Sequence, residues 1–532
     1  MDVENFNQLL SDLNQLGFKG ETLEQDLEWN RRIGEQEFSL LHTARYGDDQ
    51  VSYRINILMD GQSGWDYIKE FQATLRPAIR TDVSWVGNID LRDLEHRMGQ
   101  INWNSAAVKK ILEGNPTEDP ALVRLKESIS DILDDLERIG AWKDAHSLFI
   151  MRQLQYKYWC DTSMQSQVYM NELKAEFETW MVFPVARNTK RFTAPAAYQF
   201  MKEHVEQYKT SLFDKGFSPD NSFPLVFHMD SRPDRFYCNT VHHHPEGTVH
   251  HHVAFERKAG TEPDTFVQKG LISRLVKYIA IPEAKIEGID TAELDQRMKT
   301  TNWNGAVIDV LQFRSGLTTT SEKSPVQEIL RDLEKLEKIT EGRMIADLLR
   351  AKYWLQNTTM KYFVDRELAA VFANHVNISA DFHERFTARQ IYNMLAGRAV
   401  FFPQERINGW FRVLCDTKND AGVSPVSFMD SYTPYDIGRI LEKMPIIEKK
   451  STPVFTQLVL DLGQGEMPAV SMKGKTRFIY ADPLNEKIGI SESRAAFLDG
   501  RKLYIESLSL KRQFQARGNS AASQRKTNRR KQ

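Results

Sequence analysis

The chain has 532 residues, of which 41% are hydrophobic and 27% charged, and its formal net charge is −2. This composition excludes a globally disordered chain, and no apolar run approaches the roughly 18–20 residues that span a bilayer. Three widely separated cysteines, Cys160, Cys238 and Cys415, exclude a disulfide framework or a cysteine-rich zinc site. We therefore expect a cytoplasmic, non-membrane protein with several cores, since domains usually hold about 100–200 residues.

The N-terminal segment predicts a short amphipathic helix. Its apolar residues Phe6, Leu9, Leu13 and Leu16 fall at helical spacing. It lacks a basic region and a long apolar stretch, so it is not expected to be a signal peptide. The next clear element, residues 51–59, alternates apolar and polar side chains as a half-buried strand does.

A repeated helical unit follows. LEHRMGQINWN at residues 94–104 and LDQRMKTTNWN at residues 294–304 agree at six of eleven positions. Matches at 131–139 with 328–336, and at 191–200 with 385–394, keep the same order along the chain. Such collinear self-similarity indicates internal duplication.

The two copies of this unit share an apolar helix face. Ile129, Ile132 and Leu136 share one helix face, and Ile329 and Leu333 do so in the second copy. The second of these helices is expected to begin at residue 325, where a proline follows a serine N-cap.

The repeated Asn-Trp-Asn has a structural and a functional interpretation. Asn104 and Asn304 are predicted as helix N-caps, with Trp103 and Trp303 packing onto the first helical turn. The alternative is that these tryptophans stack on a ligand.

A Met-Asp pair after a strand-like run occurs three times, with aspartates Asp60, Asp230 and Asp430. We interpret these aspartates as strand ends that cap a turn, although a catalytic or metal-binding role is the alternative. With the helical repeat, this element predicts an α+β protein in which three small α+β modules alternate with two helical units. The predicted segments are 1–93, 94–190, 191–290, 291–385, 386–498 and a basic tail at 499–532.

The second module contains an unusual hairpin, HHHPEGTVHHH, at residues 242–252. A type I turn closed by a bulge would place His242 opposite His250, with His244 and His252 on the same face. Four imidazoles on one face would suit zinc or another divalent metal. A two-residue Glu-Gly turn would split them between faces. The other interpretations are an exposed polar face and a pH switch.

The third module is expected to open a helix with Thr433 as N-cap, Pro434 at the first helical position and Asp436 two residues later. Residues 455–462, FTQLVLDL, and residues 475–482, KTRFIYAD, are predicted as strands. No motif supports a catalytic assignment, so no catalytic residue and no required cofactor are predicted.

From Lys511 to residue 532, the tail carries positive charge without any acidic residue. Because its eight basic side chains contribute +8 to a chain of net charge −2, the preceding 510 residues carry −10. A flexible basic arm of this kind binds phosphate backbones in a salt-dependent manner. The candidate nucleic-acid-binding residues are Lys511, Arg512, Arg517, Arg525, Lys526, Arg529, Arg530 and Lys531.

The C-terminal third, about residues 386–498, resembles a domain of unknown function found in Bacteroidetes, in proteins of conjugative transposons and in large polyvalent proteins of mobile elements. The resemblance depends on Leu-x-Gly-Arg-x-Val at 395–400, Met-Pro-Ile at 444–446 and Leu-x-x-Gly-x-x-x-x-Val at 462–470. Where the family usually has Ala-Asn-Pro, this chain has Ala-Asp-Pro at 481–483. The resemblance implies a cytoplasmic accessory protein of a mobile element and no particular reaction.

These observations favour a non-enzymatic binding or scaffolding protein whose partners are DNA or RNA, and other mobile-element proteins. One alternative is a metal-dependent enzyme that uses the histidine hairpin with Asp230 and Asp234. The other is a protein–protein adaptor in a conjugation or host-interference assembly. The sequence does not indicate an oligomeric state.

Overall fold

The computed structural model describes most of the chain. The described residues are 3–33, 37–59, 65–79, 84–113, 119–185, 192–217, 224–230, 232–258, 260, 265–303, 306, 310, 313, 325–355, 360–379, 386–404, 407–415, 423–430, 435–492 and 498–499. Residues 500–532 of the basic tail, together with Asp60 and Asn304, lie outside them. No helix in the described part is long and apolar enough to cross a membrane.

The internal contacts of the chain divide it into two units. Unit 1 comprises Met1–Thr240 and His252–Lys269, and unit 2 comprises Val241–His251 and Gly270–Gln532. The boundaries fall inside three strands, so these strands contribute residues to both units. They are β8 (Arg235–His244), β9 (Gly247–Arg257) and β10 (Phe266–Lys277).

Unit 1 combines a mostly antiparallel sheet with helices. Its helices are α1 (Val3–Leu16), α2 (Glu21–Ile33), α3 (Leu91–Gln100), α4 (Ala106–Leu112), α5 (Pro120–Ala141), α6 (Ala145–Trp159), α7 (Met170–Phe177), α8 (Ala194–Phe200) and α9 (Glu206–Asp214). Its strands are β1 (Glu37–Tyr46), β2 (Asp49–Met59), β3 (Asp66–Arg76), β4 (Trp85–Val86), β5 (Ile89–Asp90), β6 (Thr179–Pro184) and β7 (Val226–Met229). The strand order is β1-β2-β3-β6-β7-β8-β9-β10, and among the pairings from β1 to β8 only β6 with β7 is parallel.

Unit 2 contains the remaining elements. Its helices are α10 (Thr291–Thr300), α11 (Pro325–Glu337), α12 (Thr340–Trp354), α13 (Arg366–Phe372), α14 (Ala388–Leu395), α15 (Ile437–Lys443) and α16 (Thr452–Gly463). Its strands are β11 (Ile279–Ala280), β12 (Lys285–Ile286), β13 (Ile289–Asp290), β14 (Ala373–Ser379), β15 (Val400–Gln404), β16 (Ile407–Val413), β17 (Val426–Asp430), β18 (Ala469–Met472), β19 (Lys475–Asp482), β20 (Lys487–Ser491) and β21 (Leu498–Asp499). Its portions of β8, β9 and β10 are followed in the sheet by β14, and β15-β16-β17 and β18-β19-β20 form two further antiparallel sheets. The chain is therefore α+β, as predicted.

The two helical units repeat in detail. Trp103 and Trp303 are buried, and the Nε1 of each donates a 2.9 Å hydrogen bond to the backbone oxygen of the methionine five residues earlier. Each also packs edge-to-face on a later tryptophan, Trp159 or Trp354, with ring centroids 5.8 and 5.6 Å apart. Each tryptophan belongs to the hydrophobic core of its own helical unit. The two tryptophans are therefore core residues, which supports the structural interpretation of Trp103 and Trp303 but not the predicted N-cap role of Asn104.

Three local predictions are wrong. The N-cap of α4 is Ser105, whose side chain accepts from the Val108 N–H, and not Asn104. The helix α15 begins at Ile437 with Asp436 as N-cap, whose side chain accepts from the Arg439 N–H, and the predicted cap Thr433 lies outside the described residues. Residues 455–462 lie in α16, because Pro453 starts a helix there and an apolar run of eight residues suits a buried helix as well as a strand.

The Met-Asp pairs do not occupy equivalent positions in the fold. Met59 ends β2, the middle strand of a three-stranded meander, whereas Met229 ends β7, which precedes the corresponding meander β8-β9-β10. Asp230 follows β7 directly, and its N–H donates to the Arg235 backbone oxygen, while Asp430 is the last residue of β17. The two described aspartates therefore lie at strand ends.

Candidate functional site on the histidine hairpin

The hairpin of β8 and β9 turns at Pro245 and Glu246, the two residues between the strands. His243 Nδ1 lies 3.3 Å from Thr248 Oγ1, which places these two residues opposite each other. Because side chains alternate along a strand, His242, His244 and His251 lie on one face, here called the first face. His243, His250 and His252 lie on the second face.

The prediction that His242, His244, His250 and His252 share a face is therefore wrong. The turn uses Pro-Glu and neither the bulged turn nor Glu-Gly, and a change of one residue in register moves opposite side chains to different faces. Among the described residues, no group of three or more His, Cys, Asp or Glu side chains is arranged to hold a metal ion.

On the first face, the turn is held by a buried polar network, here called the latch, made of His244, Glu246, Tyr392 and Arg398. Glu246 accepts from the Tyr392 hydroxyl through Oε2 and from Arg398 Nη1 through Oε1, both at 3.0 Å. His244 stacks on the Tyr392 ring with centroids 3.7 Å apart and planes 7° from parallel. Arg398 is only 7% exposed.

A second ion pair extends the latch. Arg389 donates to both carboxylate oxygens of Glu466, and its guanidinium lies over the Tyr392 ring. Asn393 also donates to Glu466 and accepts from Arg398 Nη2. Charges buried in this manner need partners, and the network supplies them.

Unit 1 contains the same arrangement at the turn between β1 and β2. Tyr46 stacks on Tyr198 with centroids 4.3 Å apart and planes 7° from parallel. Asp49 accepts from the Tyr198 hydroxyl at 3.1 Å and from Lys202 Nζ at 3.0 Å. Tyr198 and Tyr392 each lie seven residues after the arginine of the repeated Arg-Phe-Thr-Ala.

The duplication therefore includes the hairpin as well as the helical units. Two sequence features could have revealed the second hairpin. Tyr198 and Tyr392 have the same spacing from the repeated Arg-Phe-Thr-Ala, and an acidic residue lies next to each turn. Because both copies keep this network while only one carries the histidines, the latch belongs to the scaffold.

The second face differs between the copies. His251 Nδ1 lies 2.7 Å from Ser273 Oγ, which places His250 beside Arg274 on the second face. His250 follows the stacked ring His244 by six residues. In unit 1, Ser52 follows the stacked ring Tyr46 by the same distance in sequence, and Ser52 pairs with Thr74 on the neighbouring strand. We call His243, His250 and Arg274 the basic row, and it occurs in unit 2 alone of the two hairpins.

Burial shifts the pKa values of these histidines downward. The pKa of His250 falls from 6.5 to about 4, first because of burial and then because of the positive charges of Arg274, His243 and Lys361. The pKa of His244 also falls to about 4, through burial and then through Arg389, His242 and Arg398. The pKa of fully buried His251 lies well below 6.5. These rings are neutral at pH 7, which does not favour a switch near neutral pH.

Unit 2 should consequently lose stability in mild acid. A histidine whose pKa is about 4 when folded and 6.5 when unfolded stabilises the fold fully above pH 6.5 and loses that contribution as the pH falls toward 4. For His250 the loss amounts to up to about 3 kcal/mol. We expect the urea concentration at the midpoint of unfolding to decrease as the pH is lowered from 7.5 to 5. The decrease should be smaller in His250→Gln.

The matched control is His146→Gln, since His146 is exposed in unit 1. It should leave the pH dependence unchanged. A urea midpoint that stays constant from pH 7.5 to 5 would contradict the neutral state of the hairpin histidines.

The predicted nucleic-acid-binding residues, from Lys511 to Lys531, lie outside the described residues. The basic row was missed in the sequence because Arg274 lies far from the histidines along the chain and becomes their neighbour only through strand pairing. Comparisons with known protein families, with curated proteins and with solved structures find no match to this chain.

Proposed function

We propose that the chain is a non-enzymatic binding or scaffolding accessory protein of a mobile genetic element that contacts nucleic acid through its basic tail. The observation that carries this proposal is the charge distribution: eight positive charges and no acidic residue follow a body of net charge −10. An unneutralised basic arm binds phosphodiester backbones by releasing counterions. The mobile-element setting depends on the resemblance of residues 386–498.

The described body supports this proposal indirectly. Several of its half-buried or buried carboxylates are engaged by cations of the same unit, as Asp49, Glu178 and Glu246 are by Lys202, Arg76 and Arg398. Acidic side chains that are already paired within the fold compete less with an external polyanion for the basic tail residues.

The experiment is a salt titration of binding to fluorescent single- and double-stranded DNA and RNA. The full chain is compared with a full-length variant in which all eight basic tail residues are replaced by Gln. We expect the intact protein to bind at 50 mM salt and to lose affinity steeply by 200 mM, since six to ten phosphate contacts correspond to a loss of about 10³–10⁵ over that range. The Gln variant should bind at least about tenfold more weakly and with a smaller salt slope.

A variant with the residues of the tail in scrambled order is the matched control. It keeps the charge and length of the tail and should bind as the intact chain does, because this kind of binding is independent of sequence. An intact protein that binds no nucleic acid at 50 mM salt would refute the proposed function.

A further inference from the structure

Arg274 differs from two other arginines of unit 2, Arg297 and Arg398, which each have a carboxylate partner. Arg297 pairs with Asp332 at 2.6 Å, and Arg398 pairs with Glu246 at 3.0 Å. The Arg274 guanidinium makes no hydrogen bond or ion pair with any described residue, and its Nε is shielded from solvent. Burial lowers the pKa of Arg274 to about 10, so the group still carries its charge at pH 7. A cation that is partly shielded from water and has no counterion is less stable than a paired one, and an external anion would stabilise it.

Two further donor groups lie near this position, His250 beside Arg274 and Lys361 near His250. The strand register places His250 next to Arg274, and His250 Nε2 has no hydrogen-bond partner among the described residues. Lys361, in the short helical turn Met360–Phe363, is close enough for its charge to act on His250. A neutral imidazole, a guanidinium and an ammonium together offer donors from three different elements, which suits a tetrahedral anion better than a planar carboxylate.

Exposed side chains flank this cluster, although His250 Nε2 and Arg274 Nε are themselves shielded from solvent. Ile272 on β10 is 47% exposed, Val241 on β8 is 36% exposed and Tyr362 is 78% exposed. Tyr362 also lies next to Lys361 in sequence, and the Lys361 ammonium is 5.2 Å from its ring centroid. An exposed aromatic ring beside basic side chains can stack on a base of a single strand.

We propose that Arg274, His250 and Lys361 form a binding site for a phosphate group on the second face of the histidine hairpin. The phosphate is either a free anion or part of a nucleic-acid backbone. Only the second source depends on the proposed function, and the site is distinct from the tail. The equivalent positions Ser52 and Thr74 carry no charge, so unit 1 has no counterpart of this site on its own hairpin.

The test uses the full chain with all eight basic tail residues replaced by Gln, so that the tail contributes no binding. Inorganic phosphate and a short single-stranded oligonucleotide are titrated separately while the ring signals of His250 are followed by NMR with ¹³C-labelled histidine. Phosphate should raise the pKa of His250 by about 1 unit or more, as an anion within about 4–6 Å does. Arg274→Gln should weaken binding at least tenfold, and Arg274→Lys should restore part of it.

His250→Gln is the second variant if Arg274→Gln does not fold, and it should also weaken binding. The control is Lys299→Gln, which removes one exposed positive charge on α10 and should leave binding unchanged. Acetate serves as the planar competitor and should bind more weakly than phosphate.

The source of the phosphate follows from the two titrations. Binding of the oligonucleotide that is lost in Arg274→Gln assigns the site to a nucleic-acid backbone, and binding of inorganic phosphate alone assigns it to a free anion. The proposal is overturned if neither ligand shifts the His250 signals, if Arg274→Gln binds as tightly as its parent, or if acetate binds as well as phosphate. Nucleic-acid binding by the intact tail would survive any of these results.

Discussion

Arg398→Ala should destabilise unit 2 by about 3–5 kcal/mol, because it leaves the Glu246 carboxylate without its cation in a buried network. The same change removes the guanidinium that lies 4.9 Å from the Tyr392 ring centroid and the donor to Asn393. Urea unfolding of the full chain measures the loss. Hydrogen exchange in β8, β9 and α14 should show that it is local to the hairpin and the helix that holds it.

The duplicated geometry provides the control for this prediction. Lys202 pairs with Asp49 as Arg398 pairs with Glu246, but the Lys202 side chain is 40% exposed against 8% for Arg398. Lys202→Ala should therefore cost only about 1 kcal/mol or less. The double change Arg398→Met with Glu246→Gln should recover much of the loss, since it removes both charges. If Arg398→Ala and Lys202→Ala lost the same free energy of unfolding, burial of the ion pair would not explain its contribution to stability.

Trp303→Ala should cost about 3–5 kcal/mol, the usual cost of truncating a large buried aromatic side chain. The indole is 6% exposed, packs on Trp354, and donates to the Met298 backbone oxygen. Trp303→Phe keeps an aromatic ring and loses that hydrogen bond, so it should cost less than the alanine variant. Urea unfolding monitored by circular dichroism gives both values.

Trp103→Ala is the matched variant in unit 1, where the indole is 5% exposed and makes the same hydrogen bond. Its cost should be of the same size. A loss below about 1 kcal/mol in both alanine variants would remove the structural explanation of Asn-Trp-Asn and restore ligand stacking as the explanation.

Helix faces and some element boundaries could be predicted where the signal is local, whereas the predicted caps Asn104 and Thr433 were wrong. The faces of α5 and α11, the proline start of α11 and the strand β19 all occur where periodicity and turn chemistry place them. Residues 455–462 could not be assigned, because an apolar run of eight is compatible with both a helix and a strand until its neighbours are known. The Met-Asp pairs have similar sequences, although Met59 and Met229 end strands that occupy different positions in the fold.

The candidate site illustrates the same limit. The sequence correctly drew attention to the histidine hairpin, since six histidines around a turn are visible without a structure. It could not choose among turn types, and a difference of one residue in the turn decides which histidines share a face. Arg274, which lies beside His250, is 24 residues away in sequence and shows no local pattern that connects the two.

The sequence by itself therefore determined the α+β class, the duplication, the helical faces and the uneven charge, because each depends on composition or on spacing within a few turns or strands. Tertiary structure decided which histidines share a face, which tyrosine holds each hairpin turn, and that Arg274 has no carboxylate partner among the described residues. These depend on strand register and on contacts between distant segments. The free energies of these contacts depend on how deeply the groups are buried, which cannot be inferred from a local sequence pattern.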